Sequence, residues 1–380
     1  MKKQFHTTIA ALAALTVFTS ISLFTSCSKK AELTPVNIKP IVYQNENITV
    51  KVDPKLELLL IALRLADWSP FNQNAYGQDY GPYIDGVDKF FEKQKDHPFV
   101  KDIKKRGKKY TEGYFNIISI VNYISDDLTQ LNVDKKNLPP ELKTFWKGVN
   151  PDTFISQFND FAKSSNYEKI WILYNPQLKT QGVNVREFAD FNKAVTDWAS
   201  SFFFSNSNNV EFEIISTLLT GAYYYTLVPV YDNEKIKIKA IYPAYNNKED
   251  DWYSSTAANI ICFGYIYNIL NKNWELFEKD AERIVKQIYA ENQITTKLKD
   301  YNIKSYITNI LNLLCLLDYD YYKNNEDHRT ELINTFSSNL LVKDVDKLIS
   351  HIEKYTNNRN AYQDFESFVV NYLPDVLKEF

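Results

Sequence analysis

The sequence predicts a predominantly α, α+β domain, and three observations carry that expectation. Glycine occurs only 9 times in 380 residues, and turn dipeptides are few. Both favour helices over a many-stranded fold, because tight turns draw on glycine's conformational freedom. Apolar residues recur at helical spacing along most of the chain. One stretch, 235–242, instead alternates Ile with Lys, the period-two pattern of a half-buried strand.

The elements follow in order. A helix is expected over 55–66, where Pro54 suits the first turn and Leu56, Leu59, Leu60 and Leu63 make one face. Short helices at 87–94 and 100–109 flank His97-Pro98, and a longer one at 113–131 carries Phe115, Ile118, Val121, Tyr123 and Ile124. Pro139-Pro140 begins a further segment. Residues 152–164 are amphipathic through Phe154, Ile155, Phe158 and Phe161, and 185–204 continue in that style. Segments 211–219 and 223–231 are rich in β-branched and aromatic residues. With 235–242 they predict one β-patch of about three strands over 211–245. A loop at 246–251 then leads to helices at 254–270, 274–290, 303–317, 331–340, 342–355 and 365–379.

The N-terminus reads as an export signal. Met1-Lys2-Lys3 is basic, an apolar run spans 8–24, and no acid occurs before Glu32. The run ends Leu23-Phe24-Thr25-Ser26-Cys27, a small residue before a cysteine, similar to a bacterial lipobox. Ser26 would fit the signal peptidase and the Cys27 thiol would accept diacylglycerol. The alternative is an ordinary signal with a chance cysteine. A transmembrane helix fits less well, because Thr and Ser interrupt the run short of the ~20 apolar residues a span needs. The expected organisation is a signal peptide at 1–26, a polar, proline-containing tether at 27–48 and one domain at 49–380. The chain would then be a cell-envelope lipoprotein whose first partner is the membrane that holds its lipid.

Composition narrows the classes. Removing 1–26 deletes two lysines and no acids, leaving 42 basic against 47 acidic side chains, net −5. That balance argues against a general nucleic-acid binder. Cys262 and Cys315 both sit in apolar runs, which favours buried free thiols over a disulfide. No GxSxG, Walker loop or Rossmann glycine pattern is present.

Several segments resemble a known family. They are Val52-Asp53-Pro54-Lys55-Leu56-Glu57-Leu58-Leu59 with Arg64-Leu65-Ala66, then Phe90-Phe91 with Lys95-Asp96-His97-Pro98, and finally Tyr355, Arg359, Tyr362, Phe365 and Phe368. Their order and spacing over 50–380 resemble a family of Bacteroidota lipoproteins of unknown function with a zincin-like metallopeptidase domain. The resemblance implies a zincin-like single domain with a small sheet beside the metal-site helix. Active members carry HExxH there: two histidines on one helical face hold zinc, and the glutamate activates its water. Here the corresponding helix reads Ile261-Cys262-Phe263-Gly264-Tyr265-Ile266-Tyr267. Ile261 and Tyr265 stand at the histidines and Cys262 at the glutamate, so these are vestigial metal-site positions. No histidine lies between His97 and His328, and 301–317 offers no carboxylate. Ile cannot ligate, and a phenol must ionise near pH ~10 to do so. No metal, cofactor or catalytic residue is therefore expected. In such lipoproteins acidic residues after the cysteine accompany surface export. Ser28-Lys29-Lys30 is basic instead, which points to an outer-membrane protein facing the periplasm, with surface exposure the alternative.

The remaining candidates each have a plainer alternative. His97, before Pro98, could touch a ligand or cap a helix. His328 is expected on a solvated face and His351 at a surface or boundary. The acid pairs Asp126-Asp127, Asp250-Asp251 and Asp318-Tyr319-Asp320 lack the full spacing of a calcium loop and read as solvated turns. Tyr225, in Tyr223-Tyr224-Tyr225, could line a cleft or pack in a sheet. Arg359 with Tyr362 is expected to pin the last two helices. The functional expectation is a non-catalytic, membrane-tethered domain that binds a peptide, glycan or protein in the former peptidase cleft. An unrecognised hydrolase and a purely structural envelope lipoprotein are the alternatives.

Overall fold

The computed structural model describes residues 33–380 apart from 70, 73–80, 109–116, 135, 140–141, 181–184, 206–208, 218, 220–224, 227–229, 233–234, 244–249, 293–299, 339, 341–344, 363 and 380. The expected export signal at 1–26 and Cys27 lie outside the described residues. Within them the fold is mostly helical with one mixed sheet, an α+β arrangement.

The sheet begins earlier than the sequence pattern indicates. β1 (Ile41–Asn45) and β2 (Ile48–Val52) form an antiparallel hairpin, so the stretch expected to be tether through residue 48 is structured from the first strand on. Ile48, Val50 and Val52 alternate into the core, and β2 lies parallel to β3 (Val210–Thr217). The parallel pairing joins residues far apart in sequence, but the strand has a local mark that the sequence reading passes over: Ile48-Thr49-Val50-Lys51-Val52 alternates apolar with polar as 235–242 does. β3 in turn lies parallel to β6 (Lys235–Pro243). β4 (Tyr225–Thr226) and β5 (Val230–Asp232) pair β6 antiparallel at different positions, so the expected strand at 223–231 is two short ones. Among the described residues the sheet thus has six strands rather than three.

One face of the sheet, including Ile48, Val50, Phe212, Ile214, Ile238 and Ala240, enters the main core. α6 (Val185–Phe203) packs across β1, β2 and β3 on it, and α7 (Asp250–Asn273) packs on β4 and β6. The opposite face carries Lys51, Glu211, Glu213, Lys237 and Lys239, a ladder of alternating charge matched by the strand register.

Between β2 and β3 the chain builds a helical layer. Asp53 caps α1 (Pro54–Leu65), its Oδ1 accepting from the Lys55 amide at 2.9 Å. Leu56, Leu58, Leu59, Leu60 and Leu63 are all buried, so α1 is a core helix rather than an amphipathic one. α2 (Gly81–Phe91) and α3 (Pro98–Gly107) pack on it, followed by α4 (Pro151–Ser164) and α5 (Tyr167–Thr180). Phe99 meets Phe154 and Phe158 with ring centroids 5.4 and 5.1 Å apart. The sequence reading assigns no helix to α5. Its Tyr167 and Trp171 are buried while Ile172 and Leu173 are about 60% exposed, so apolar residues fall on both sides and hide the period.

The long helix expected at 113–131 is absent among the described residues of that stretch. Residues Ile118–Tyr123 form a 3₁₀ helix, and Ile124 bridges Leu131 across a turn. Ser125 Oγ accepts the amides of Thr129 and Gln130, and Asp127 Oδ1 accepts that of Thr129. Such side chains offer backbone amides an alternative to the helix, and Leu128 sits at φ 59° to close the turn.

The C-terminal third is a helical bundle: α8 (Glu278–Glu291), α9 (Asp300–Lys323), α10 (Glu326–Ser338), α11 (Val345–Asn357) and α12 (Phe365–Glu379). α9 packs along α7, joining the bundle to the sheet's core face. No helix among the described residues is long and apolar enough to cross a membrane.

Candidate functional site

The helix expected to border a cleft is packed solid at the positions that matter. Ile261 and Cys262 are fully buried on α7, and Tyr265 is 2% exposed. Tyr265 packs against Phe203 and Phe204 with centroids 4.9 and 5.2 Å away. Cys262 and Cys315 are buried free thiols facing each other between α7 and α9. Burial first, and then the neighbouring Cys262, push the Cys315 thiol well above its ordinary value. Among the described residues no group of three or more His, Cys, Asp or Glu could hold a metal ion. Tyr225 is placed on β4 opposite Ile241; Tyr223 and Tyr224 lie outside the described residues.

The other candidate residues are dispersed. His97 is the N-cap of α3, its Nδ1 accepting from the Phe99 amide at 3.2 Å, with Nε2 3.1 Å from Asp160. Of the pair expected to pin the last two helices, Tyr362 packs on Tyr355 of α11 and Phe368 of α12, whereas Arg359 reaches α6. Its guanidinium donates to the carbonyls of Phe202, Ser201 and Phe204 at 2.8, 3.1 and 3.0 Å, capping the C-terminus of α6. The ring of Tyr355 lies beneath it at 4.4 Å. A helix end presents unpaired carbonyls that a nearby cation satisfies, which is why the arginine goes there.

Two sequence expectations are overturned, one about an acid pair and one about a histidine. Asp318 and Asp320 lie on α9 rather than in a solvated turn, and they point apart. Asp318 accepts from Trp198 Nε1 at 2.9 Å, whereas Asp320, 1% exposed, lies 2.7 Å from His328 Nδ1. His328 is therefore a half-buried ion-pair partner, not part of a solvated face. Its hydrogen bond to Asp320 raises its pKa against the opposing effect of burial. The charged sheet face holds a second cluster. Lys51 bridges Asp53 and Glu213 at 3.0 Å each, and Lys239 reaches Glu213 at 3.3 Å and Asn122 at 2.8 Å. Burial opposes ionisation of Asp53 and Glu213, yet the lysines outweigh it and hold both carboxyls below their usual range. The acids and lysines alternate and neutralise one another, so the cluster is spent on internal pairing.

Concavity is found elsewhere. α8, α9, α11 and α12 contact one another in a closed ring: α8 with α9, α9 with α11, α11 with α12, and α12 with α8. Inside is a cavity of about 280 Å³. That is many times the ~10–15 Å³ that one water requires. Each helix gives one stripe. α8 supplies Ile284, Gln287, Ile288 and Glu291, and α9 supplies Ile307, Ile310, Leu311 and Leu314, both at spacings of three, four and seven. α11 adds Leu348, His351 and Ile352; α12 adds Phe368, Val369, Leu373, Val376 and Leu377. Ile261, Cys262 and Tyr265 do not line it. A shallower polar depression runs between α1 and α2, where Asp88 takes both Nε and Nη2 of Arg64 at 2.6 and 2.7 Å.

Sequence reasoning does not single out the cavity, because apolar stripes on four helices read as closed core. The one available signal is on α8, where the stripe continues through Gln287 and Glu291 instead of apolar residues. Polar side chains in register with a buried face mark the point where that face opens to water. Compared with protein-family models, with curated proteins and with solved structures, the chain matches none.

Proposed function

We propose that this chain is a membrane-tethered, non-catalytic binding protein of the cell envelope, and that its binding site is the cavity ringed by α8, α9, α11 and α12. The observation that carries the reading is that cavity: ligand-sized, apolar inside and polar at its rim, as small-molecule sites are. The tether rests on the lipobox-like Ser26-Cys27 and the basic-apolar leader. The kinship to zincin-like lipoproteins rests on the segments around Asp53-Pro54, His97-Pro98 and Arg359-Tyr362. In this proposal the metallopeptidase chemistry has been replaced by packing, with an aliphatic, a thiol and a phenol sealed where imidazoles and a carboxylate would sit.

The test is saturable binding of the fluorescent apolar probe 1-anilinonaphthalene-8-sulfonate to the folded protein at one site. Leu348→Trp, which fills the cavity from α11, is expected to abolish it. Stoichiometric zinc together with a chelator-sensitive peptidase activity would overturn the non-catalytic reading. A second reading, a structural envelope lipoprotein, is favoured by the solid packing at Ile261, Cys262 and Tyr265. It predicts no probe binding in the native state.

A further inference from the structure

We infer that the cavity takes a single long acyl chain of a membrane amphiphile; this deepens the binding reading above and depends on it. The first argument is the chemistry of the wall. All but three of the lining side chains are hydrocarbon, twelve aliphatic and one phenyl. Every wall is a helix face, and a helix satisfies its own amides and carbonyls along its axis. The interior therefore presents almost no donors or acceptors. A peptide backbone or a sugar placed there would leave its polar groups unpaired, which is costly in an apolar site. An acyl chain carries no such groups, and each of its methylenes gains by leaving water. Peptide and glycan, both expected from the sequence, thus fit this cavity worse than lipid does.

The second argument is the placement of the polar residues. Gln287 and Glu291 are exposed in the last turns of α8, Gln287 Nε2 donating to Glu291 Oε1 at 3.0 Å. On α11, which faces α8 diagonally across the ring, His351 Nδ1 lies 2.9 Å from Tyr372 OH. That same hydroxyl accepts from Lys354 Nζ at 3.1 Å. Within the lining the polar groups are therefore the Gln287 amide and Glu291 carboxylate on one side and the His351 imidazole on the other, set against an apolar interior. An amphiphile places its chain inside and its head at such a border. The source is either a free fatty acid or the chain of a phospholipid, and the experiment separates them.

The purified full-length protein is titrated calorimetrically with palmitate, with lysophosphatidylethanolamine, and with vesicles of two-chain phosphatidylethanolamine. One-site binding of palmitate or the lysolipid is expected. Leu311→Trp and Leu348→Trp should weaken it at least tenfold, and Leu276→Trp, at an exposed position outside the cavity, should leave it unchanged. Palmitate alone would identify a fatty-acid site; the lysolipid alone would identify a phospholipid-derived chain. Should the filling variants not fold, a diazirine-bearing fatty acid crosslinked to the native protein replaces them. Mass mapping should then place the label on α8, α9, α11 or α12. Vesicle binding without either single-chain ligand, or label confined to other elements, overturns the inference. Probe binding without amphiphile binding sinks the acyl assignment alone, whereas absence of both sinks the binding reading with it.

Discussion

His328 and Asp320 show how one buried acid recruits a partner across a helix–helix turn. Asp320 closes α9 and His328 opens α10, and their contact is 2.7 Å. Because the folded His328 pKa lies above its ordinary 6.5, the pair stabilises fully below that value and loses its contribution as pH rises through the folded pKa. Asp53 and Glu213 act at the other end: their folded pKa values lie below 3.8 and 4.5, so their contribution is lost as pH falls through the folded values. Thermal unfolding followed against pH should therefore show a plateau between these two losses. His328→Gln should flatten the alkaline limb and leave the acid limb alone. Gly107 is a steric counterpart. A Cβ there would stand 2.8 Å from the Trp68 ring, itself packed on Phe145. Gly107→Ala should destabilise by about 1–3 kcal/mol through overpacking, measured by denaturant unfolding.

Elements are held in place by their ends as much as by their faces. The C-terminus of α6 is the clearest case. Arg359 covers its last carbonyls, and Tyr355 OH donates to the Phe202 carbonyl alongside it. Arg359→Ala removes three charge-assisted bonds at once, each worth ~1.5–3 kcal/mol before relaxation and water replacement. A net loss of about 2–4 kcal/mol is expected. Arg359→Lys should recover only part of it, because an ammonium lacks the planar fork that spans several carbonyls. Urea unfolding midpoints for the two variants check this. His97 at the start of α3 and Asp53 at the start of α1 do the same work at helix N-termini, through side chains that accept a backbone amide.

At the scale of the whole molecule, the sheet and the C-terminal bundle share one core through α7 and α9, while the cavity lies inside the bundle, ringed by α8, α9, α11 and α12. A ligand there is enclosed by helices rather than held by loops, so binding should raise the melting temperature of the domain as a unit. The N-terminal reading makes a separate prediction. Cys27→Ala should release the protein from the membrane fraction and abolish incorporation of labelled palmitate, without altering the melting temperature of the folded domain. Fractionation, label incorporation and calorimetry check the three parts.

Much of the helical content was legible in the residues themselves. The stripes of α4, α8, α11 and α12, the proline-led start of α1, and the Lys-Ile alternation of β6 are local patterns, and local patterns report local structure. The proposed leader and the lipidation of Cys27 rest on the sequence alone. Tertiary contact decided what local pattern could not: that 41–52 joins the sheet through a partner some 160 residues away in β3, that Arg359 serves α6, and that Asp320 claims His328. It also decided that the faces of four helices enclose space instead of closing on each other. Whether apolar stripes meet or stand apart depends on the distances between helix axes, and those are set by packing across the entire core.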